Sequence, residues 1–120
     1  MAALVNLPDF IKGDQWEGLT CGPVLVDGAA PAETLARVKM SFRDVNGILG
    51  YVLDSEVVSG AGLIVISDAT TWTVSIGEQA LPLEEGKWDY NLKFYRTGVT
   101  LPWTLLEGSI TVKKGVPYDD

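Results

Sequence analysis

The chain reads as an all-β domain, a sandwich or barrel, and three observations carry that reading. Trp88, Tyr90, Leu92 and Phe94 fall on alternate positions with Lys87, Asp89, Asn91 and Lys93 between them, the period of a strand with one dry face and one wet face. Apolar runs of this kind recur at short intervals, separated by Gly, Pro, Asn and Asp. Helix signals are nearly absent: only residues 31–34 and 77–80 suit a short helix or turn, and each is too short to hold a helix alone.

In chain order, a first short strand is expected at Phe10-Ile11, broken at Gly13-Asp14. A second runs from Trp16 toward Val26 and is interrupted near Gly22-Pro23, because proline lacks an amide donor and belongs at an edge or bulge. Asp27-Gly28 closes it. Ala36, Val38, Met40 and Phe42 then alternate with Arg37, Lys39, Ser41 and Arg43. Asn46-Gly47 supplies left-handed backbone for a tight hairpin, which makes residues 48–53 the antiparallel partner. Gly60-Ala61-Gly62 opens the run Leu63-Ile64-Val65-Ile66, and Asp68 and Ala69 turn it into residues 71–76, where Trp72, Val74 and Ile76 share a face. Leu81-Pro82 and Glu84-Glu85-Gly86 form the corner before the 88–95 strand, with Trp88 and Leu92 in the core. Gly98 is its turn, and a final strand covers residues 103–112. The expectation is eight strands in one domain over 1–120, with a core from about 8 to 114 and flexible ends at 1–7 and 115–120.

With 120 residues, 47% hydrophobic and 21% charged, the chain is long enough to bury a core without disulfides or metals. A formal net charge of -7, with Lys113-Lys114 the only adjacent basic pair, opposes binding to nucleic acid or anionic membranes. The single cysteine, Cys21, suits a small buried hydrophobe on a strand. The first residues lack the basic and long apolar regions of a secretory signal, so synthesis in a cytoplasm is expected.

Histidine is absent from the sequence, which removes the commonest general base and transition-metal ligand. The acid pairs Glu84-Glu85 and Asp119-Asp120 fall in a turn and a tail, where solvated carboxylates are expected rather than a catalytic pair. Asp27, Asp44 and Asp68 offer oxygens at turns, but their spacing matches no calcium loop. The glycines stand singly at turns and precede no helix. No enzyme activity, metal or cofactor is expected. Among the four tryptophans, Trp72 and Trp88 are in phase with aliphatic neighbours and read as core. Trp103 follows Pro102 at a strand start, with Leu105-Leu106 breaking the phase behind it, and reads as an interface residue.

Three motifs carry a resemblance to a known family. They are Phe10-Ile11-Lys12-Gly13-Asp14-Gln15-Trp16, the strand Leu35 to Arg43, and a Leu81-Pro82 corner leading to Gly86-Lys87-Trp88-Asp89-Tyr90-Asn91-Leu92 and then Leu106-Glu107-Gly108-Ser109-Ile110-Thr111-Val112. Together they resemble the immunoglobulin-like β-sandwich of tailed-phage virions, specifically the N-terminal domain of the phage baseplate upper protein family. The resemblance implies a single immunoglobulin-like antiparallel β-sandwich. It further implies a non-enzymatic accessory protein of the virion, on a tail, baseplate, neck or head surface, that docks between virion subunits and associates with itself in several copies. Trp16, Pro31, Trp103 and Tyr118 are the interface candidates. The competing expectation is a carbohydrate- or host-receptor-binding module that stacks its ligand on Trp16, Trp103 or Tyr118.

Overall fold

Alternating sequence becomes paired strands throughout the computed structural model, which describes residues 3–12, 14–57 and 62–114. In chain order these residues form β1 (Ala3–Leu4), β2 (Phe10–Ile11), β3 (Gln15–Trp16), β4 (Leu19–Cys21), β5 (Leu35–Arg43), β6 (Leu49–Asp54), β7 (Ile64–Asp68), β8 (Thr73–Ile76), β9 (Gln79–Ala80), β10 (Gly86–Arg96) and β11 (Trp103–Lys113). No helix occurs among the described residues. The largest sheet runs β1-β11-β10-β5-β6, with β2 also on β11. A second sheet runs β4-β8-β7, and β3 pairs with β9.

The dry faces of these sheets meet in one core. Val38, Met40 and Phe42 of β5 join Tyr90, Leu92 and Phe94 of β10 and Ile110 and Val112 of β11, while the smaller sheet supplies Ile64, Val74 and Ile76. Burying such side chains supplies most of the drive to fold. The wet face carries the intervening residues, with Asp89 opposite Arg43, Asn91 opposite Ser41 and Lys93 opposite Lys39. Arg37, on the same face, donates from Nε to Asp54 Oδ1 at 3.0 Å and from Nη2 to Oδ2.

Hydrogen bonds from Arg37 hold the Asp54 carboxyl below its usual range, helped by the Glu56 amide and opposed by burial. A carboxylate with a depressed pKa stabilises the fold above its unfolded pKa of about 3.9 and loses that contribution as pH falls through the folded value. Asp54→Asn is therefore expected to flatten the acid side of the stability–pH curve below about pH 4. Urea melts of both proteins across the acid range test this; parallel curves would remove Asp54 from the acid response.

Several expectations need correction. Among the described residues eleven strands replace eight, and the pairing is not wholly antiparallel, since β1 and β2 both run parallel to β11. Residues 3–7, expected to be flexible, lie along the outer edge of β11, with the Val5 amide donating to Glu107 O and the Leu7 amide to Ser109 O, both at 2.8 Å. A free sheet edge offers unpaired amides and carbonyls, and the N-terminal arm satisfies them. Between its two pairings the arm has one more residue than β11, and Asn6 Oδ1 accepts from the Ser109 amide at 3.2 Å.

The strand expected from Trp16 toward Val26 divides into β3 and β4. Gly18, at φ 88°, has no room for a side chain against the Ile76 carbonyl. The segment read as a helix or turn at 77–80 contributes β9 instead. In the hairpin between β5 and β6, Gly47 is left-handed but Asn46 is not, and the Asp44 amide donates to Ile48 O at 3.0 Å, giving a three-residue loop. Trp88 is half-buried and packs on the rim of the core over Gly50, rather than at its centre.

Candidate functional site

The apolar ledge at one end of the molecule begins with a bulge. Leu92 pairs with Leu106 and Lys93 with Thr104, so Leu105 is the extra residue of β11. An extra residue reverses which face the following side chains use. It places Trp103 opposite Phe94, on the side of the sheet that faces the core. This is the physical content of the broken phase at Leu105-Leu106. Trp103 stands at the end of that face and is still 36% exposed.

Packing behind it fixes the ring. Trp72, fully buried, lies 5.5 Å from Trp103 and 5.8 Å from Phe94, centroid to centroid. The Trp72 indole N–H donates to Glu33 O at 2.9 Å, and the Glu33 carboxylate lies 3.6 Å from Arg96. Arg96 places its guanidinium 4.2 Å from the centroid of Trp103, a cation–π arrangement. Arg96 Nε is buried and has no hydrogen-bond partner among the described residues. Trp72 itself sits at φ 59°, a left-handed conformation that a bulky residue holds only when its surroundings over-determine it.

A second chain segment completes the ledge. The Val24 amide donates to Thr71 O at 2.9 Å, and Val26 and Ala29 exchange backbone hydrogen bonds in both directions. Between them Asp27 and Gly28 both have positive φ, at 51° and 82°, the mirror-image turn that suits a two-residue hairpin. This small hairpin holds Leu25, 65% exposed, and Val26 beside Trp103. Val24, Leu25, Val26, Pro102, Trp103 and Leu105 line an open groove of about 340 Å³, and Leu101, 74% exposed, stands next in the chain. A contiguous exposed apolar patch on a folded protein marks an interaction surface.

Of the three interface candidates among the described residues, Trp103 alone lies on this ledge. Trp16 is 4% exposed and packs edge-on against Phe42, ring centroids 6.5 Å apart, so it is a core residue and offers no stacking face. Pro31 is half-buried in the loop that leads to Glu33. Tyr118 lies outside the described residues. Leu25, Val26 and Leu101 were not legible as site residues, because Val24-Leu25-Val26 reads as the end of a strand. The Asp27-Gly28 turn directly after it was the available signal.

Polar chemistry is arranged differently. Among the described residues no group of three or more His, Cys, Asp or Glu side chains is placed to hold a metal ion. Asp44 Oδ1 accepts from the Asn46 and Ile48 amides, and Asp68 Oδ1 from the Thr70 hydroxyl and amide. Those bonds hold the Asp68 carboxyl below its usual range, the direction opposite to that of a general acid. Burial pushes the Cys21 thiol up, the direction away from a reactive thiolate, and the side chain packs against the core from β4. A shallow polar cleft of about 500 Å³ on the wet face is lined by side chains of both charge signs, including Lys87, Asp89 and Glu107. Comparisons with protein-family models, with curated proteins and with solved structures find no match to this chain.

Proposed function

We propose that this chain is a non-enzymatic docking module of a tailed-phage particle, an immunoglobulin-like β-sandwich that binds neighbouring virion subunits through the Trp103 ledge. The observation that carries the docking reading is the ledge itself: a groove of aliphatic residues, held open by a bulge and a tight hairpin, with a tryptophan packed against Trp72 and Arg96. Rigid, half-exposed aromatic residues with an adjacent arginine are the usual anchors of protein interfaces. A histidine-free sequence supports a role without catalysis.

Strand order supports the immunoglobulin-like reading. Taken in chain order, β11, β10, β5 and β6 correspond to strands G, F, C and C′ of one sheet, and β4, β8 and β7 to strands B, E and D of the other. The phage setting rests on the Phe10 to Trp16, Leu35 to Arg43 and Leu81 to Val112 motifs. A glycan reading has less support, because the Arg96 guanidinium takes one face of Trp103 and Trp16 is buried.

The test is incorporation into particles. Gradient-purified virions carrying the wild-type chain are expected to contain it by mass spectrometry, and Leu25→Asp is expected to reduce its incorporation at least tenfold while leaving its circular dichroism unchanged. Wild-type chain found in lysate and never in particles would sink the phage reading. Full incorporation of Leu25→Asp would move docking away from the ledge.

A further inference from the structure

Arg96 is a charged residue in an apolar phase. On β10 it follows the buried Tyr90, Leu92 and Phe94 at the spacing of the core face, and its partner across the sheet is the buried Leu35. A bulge makes that pairing: Tyr95 pairs with Arg37 and Arg96 with Leu35, so Ala36 is the extra residue of β5. The Arg96 side chain is only 16% exposed. A cation brought this far onto the dry side of a sheet costs free energy unless neighbouring groups replace its water.

Glu33 Oε1 lies 3.6 Å from Arg96 Nη1, an ion pair longer than a hydrogen bond. The loop that carries Glu33 is tied to the end of β10, where the Thr97 amide donates to Thr34 O and the Thr34 and Thr97 hydroxyls lie 2.9 Å apart. Arg96 Nε finds no partner among the described residues. The face of Trp103 supplies further compensation, with its centroid 4.2 Å from the guanidinium carbon, and this attraction strengthens where water is displaced. Strand register brings the two together. Trp103 pairs with Phe94, so Arg96, two residues further on, is its diagonal neighbour and within reach of a long side chain.

Trp103 stands at the first position of β11 and is 36% exposed, and Trp72 meets it at a tilt, the ring planes 55° apart. A ring free to change rotamer loses that freedom when it docks, which weakens docking, whereas a ring fixed beforehand does not. We propose that Arg96 is the positioning residue of the ledge, its charge holding the Trp103 ring in the orientation that docks. This deepens the docking reading above and rests on it. Trp103 meets the partner, and Arg96 acts through the ring.

Two readouts on the full chain test this. The first is nitrogen-15 relaxation of the Trp103 indole N–H, assigned by its loss in Trp103→Phe. In the wild type its heteronuclear NOE is expected to match that of Trp72. Arg96→Met keeps length and apolar bulk without the charge and is expected to lower it, whereas Arg96→Lys restores a cation and is expected to recover part of the order. Arg96→Gln repeats the neutral test with a polar side chain, and unchanged circular dichroism shows that each variant is folded. The second readout is incorporation into gradient-purified virions, where Arg96→Met is expected to fall about fivefold below the wild type, the scale of immobilising one side chain on docking.

A wild-type Trp103 indole far more mobile than that of Trp72 overturns the proposal, and so does a ring as ordered in Arg96→Met as in the wild type. Arg96→Lys no more ordered than Arg96→Met overturns it too, since charge is then not what holds the ring. Full incorporation of Arg96→Met beside reduced incorporation of Leu25→Asp overturns only the role of Arg96 and leaves the ledge as the docking surface. Full incorporation of both variants moves docking away from the ledge and takes this proposal with it.

Discussion

Trp72→Ala is expected to lower the unfolding free energy by about 3–5 kcal/mol, the cost of emptying a fully buried tryptophan site. That is a large share of the roughly 5–15 kcal/mol that holds a domain of this size together. The indole contributes in three ways: it packs on Phe94, it supports Trp103, and its N–H satisfies Glu33 O. The left-handed backbone at this position stays strained in the alanine variant, whose Cβ is still present, so it offsets none of the loss. Equilibrium urea melts measure the effect. Trp88→Ala serves as the internal comparison. Sequence phase alone assigns it the same 3–5 kcal/mol, roughly, as a core tryptophan, but the side chain is half-buried with its N–H on Glu84 O. The smaller loss is expected there. Equal losses would show that Trp72 has no special place between core and ledge.

Gly108→Ala is expected to release the N-terminal arm and to cost about 1–3 kcal/mol, the usual penalty for forcing an added methyl into a packed site. Gly108 lies directly opposite Tyr90, and the missing side chain lets the Tyr90 hydroxyl reach past it to Val5 O at 2.6 Å. A methyl there would be driven into the Val5 carbonyl. The Val5 and Leu7 amides, which donate to β11, are then expected to lose hydrogen-exchange protection, while Leu92 in the sheet centre keeps its own. Tyr90→Phe removes only the hydroxyl and is expected to weaken the same amides less. Retained protection at Val5 and Leu7 in Gly108→Ala would show that the arm accommodates the methyl by shifting without detaching.

Legibility in the sequence followed the strength of local pattern. Residues 36–42 and 88–94 alternate without interruption, and they became the paired centre of the large sheet. Asn46-Gly47 announced the hairpin, and the Asp44 carboxylate, which caps the amides of Asn46 and Ile48, holds its loop. Among the short elements, Phe10-Ile11 was legible and became β2, but the others were not. β1, β3 and β9 are two residues each and exist only because a partner edge lies beside them. Trp16 illustrates the same limit for the site, since an aromatic residue next to Gln15 and Glu17 carries no period of its own. Its burial is decided by β9 pairing beside it and Phe42 meeting its edge.

The sequence by itself determined an all-β chain, because alternation of apolar and polar residues with period two has no other stable outcome. It also located the disturbance at Leu105-Leu106. Only tertiary structure decided what that disturbance does, turning Trp103 onto the core face and bringing Val24-Leu25-Val26, distant in the chain, alongside it. The reason is physical: a period reports which residues share a face, whereas a surface is assembled from faces of separate strands whose register and bulges are set by pairing.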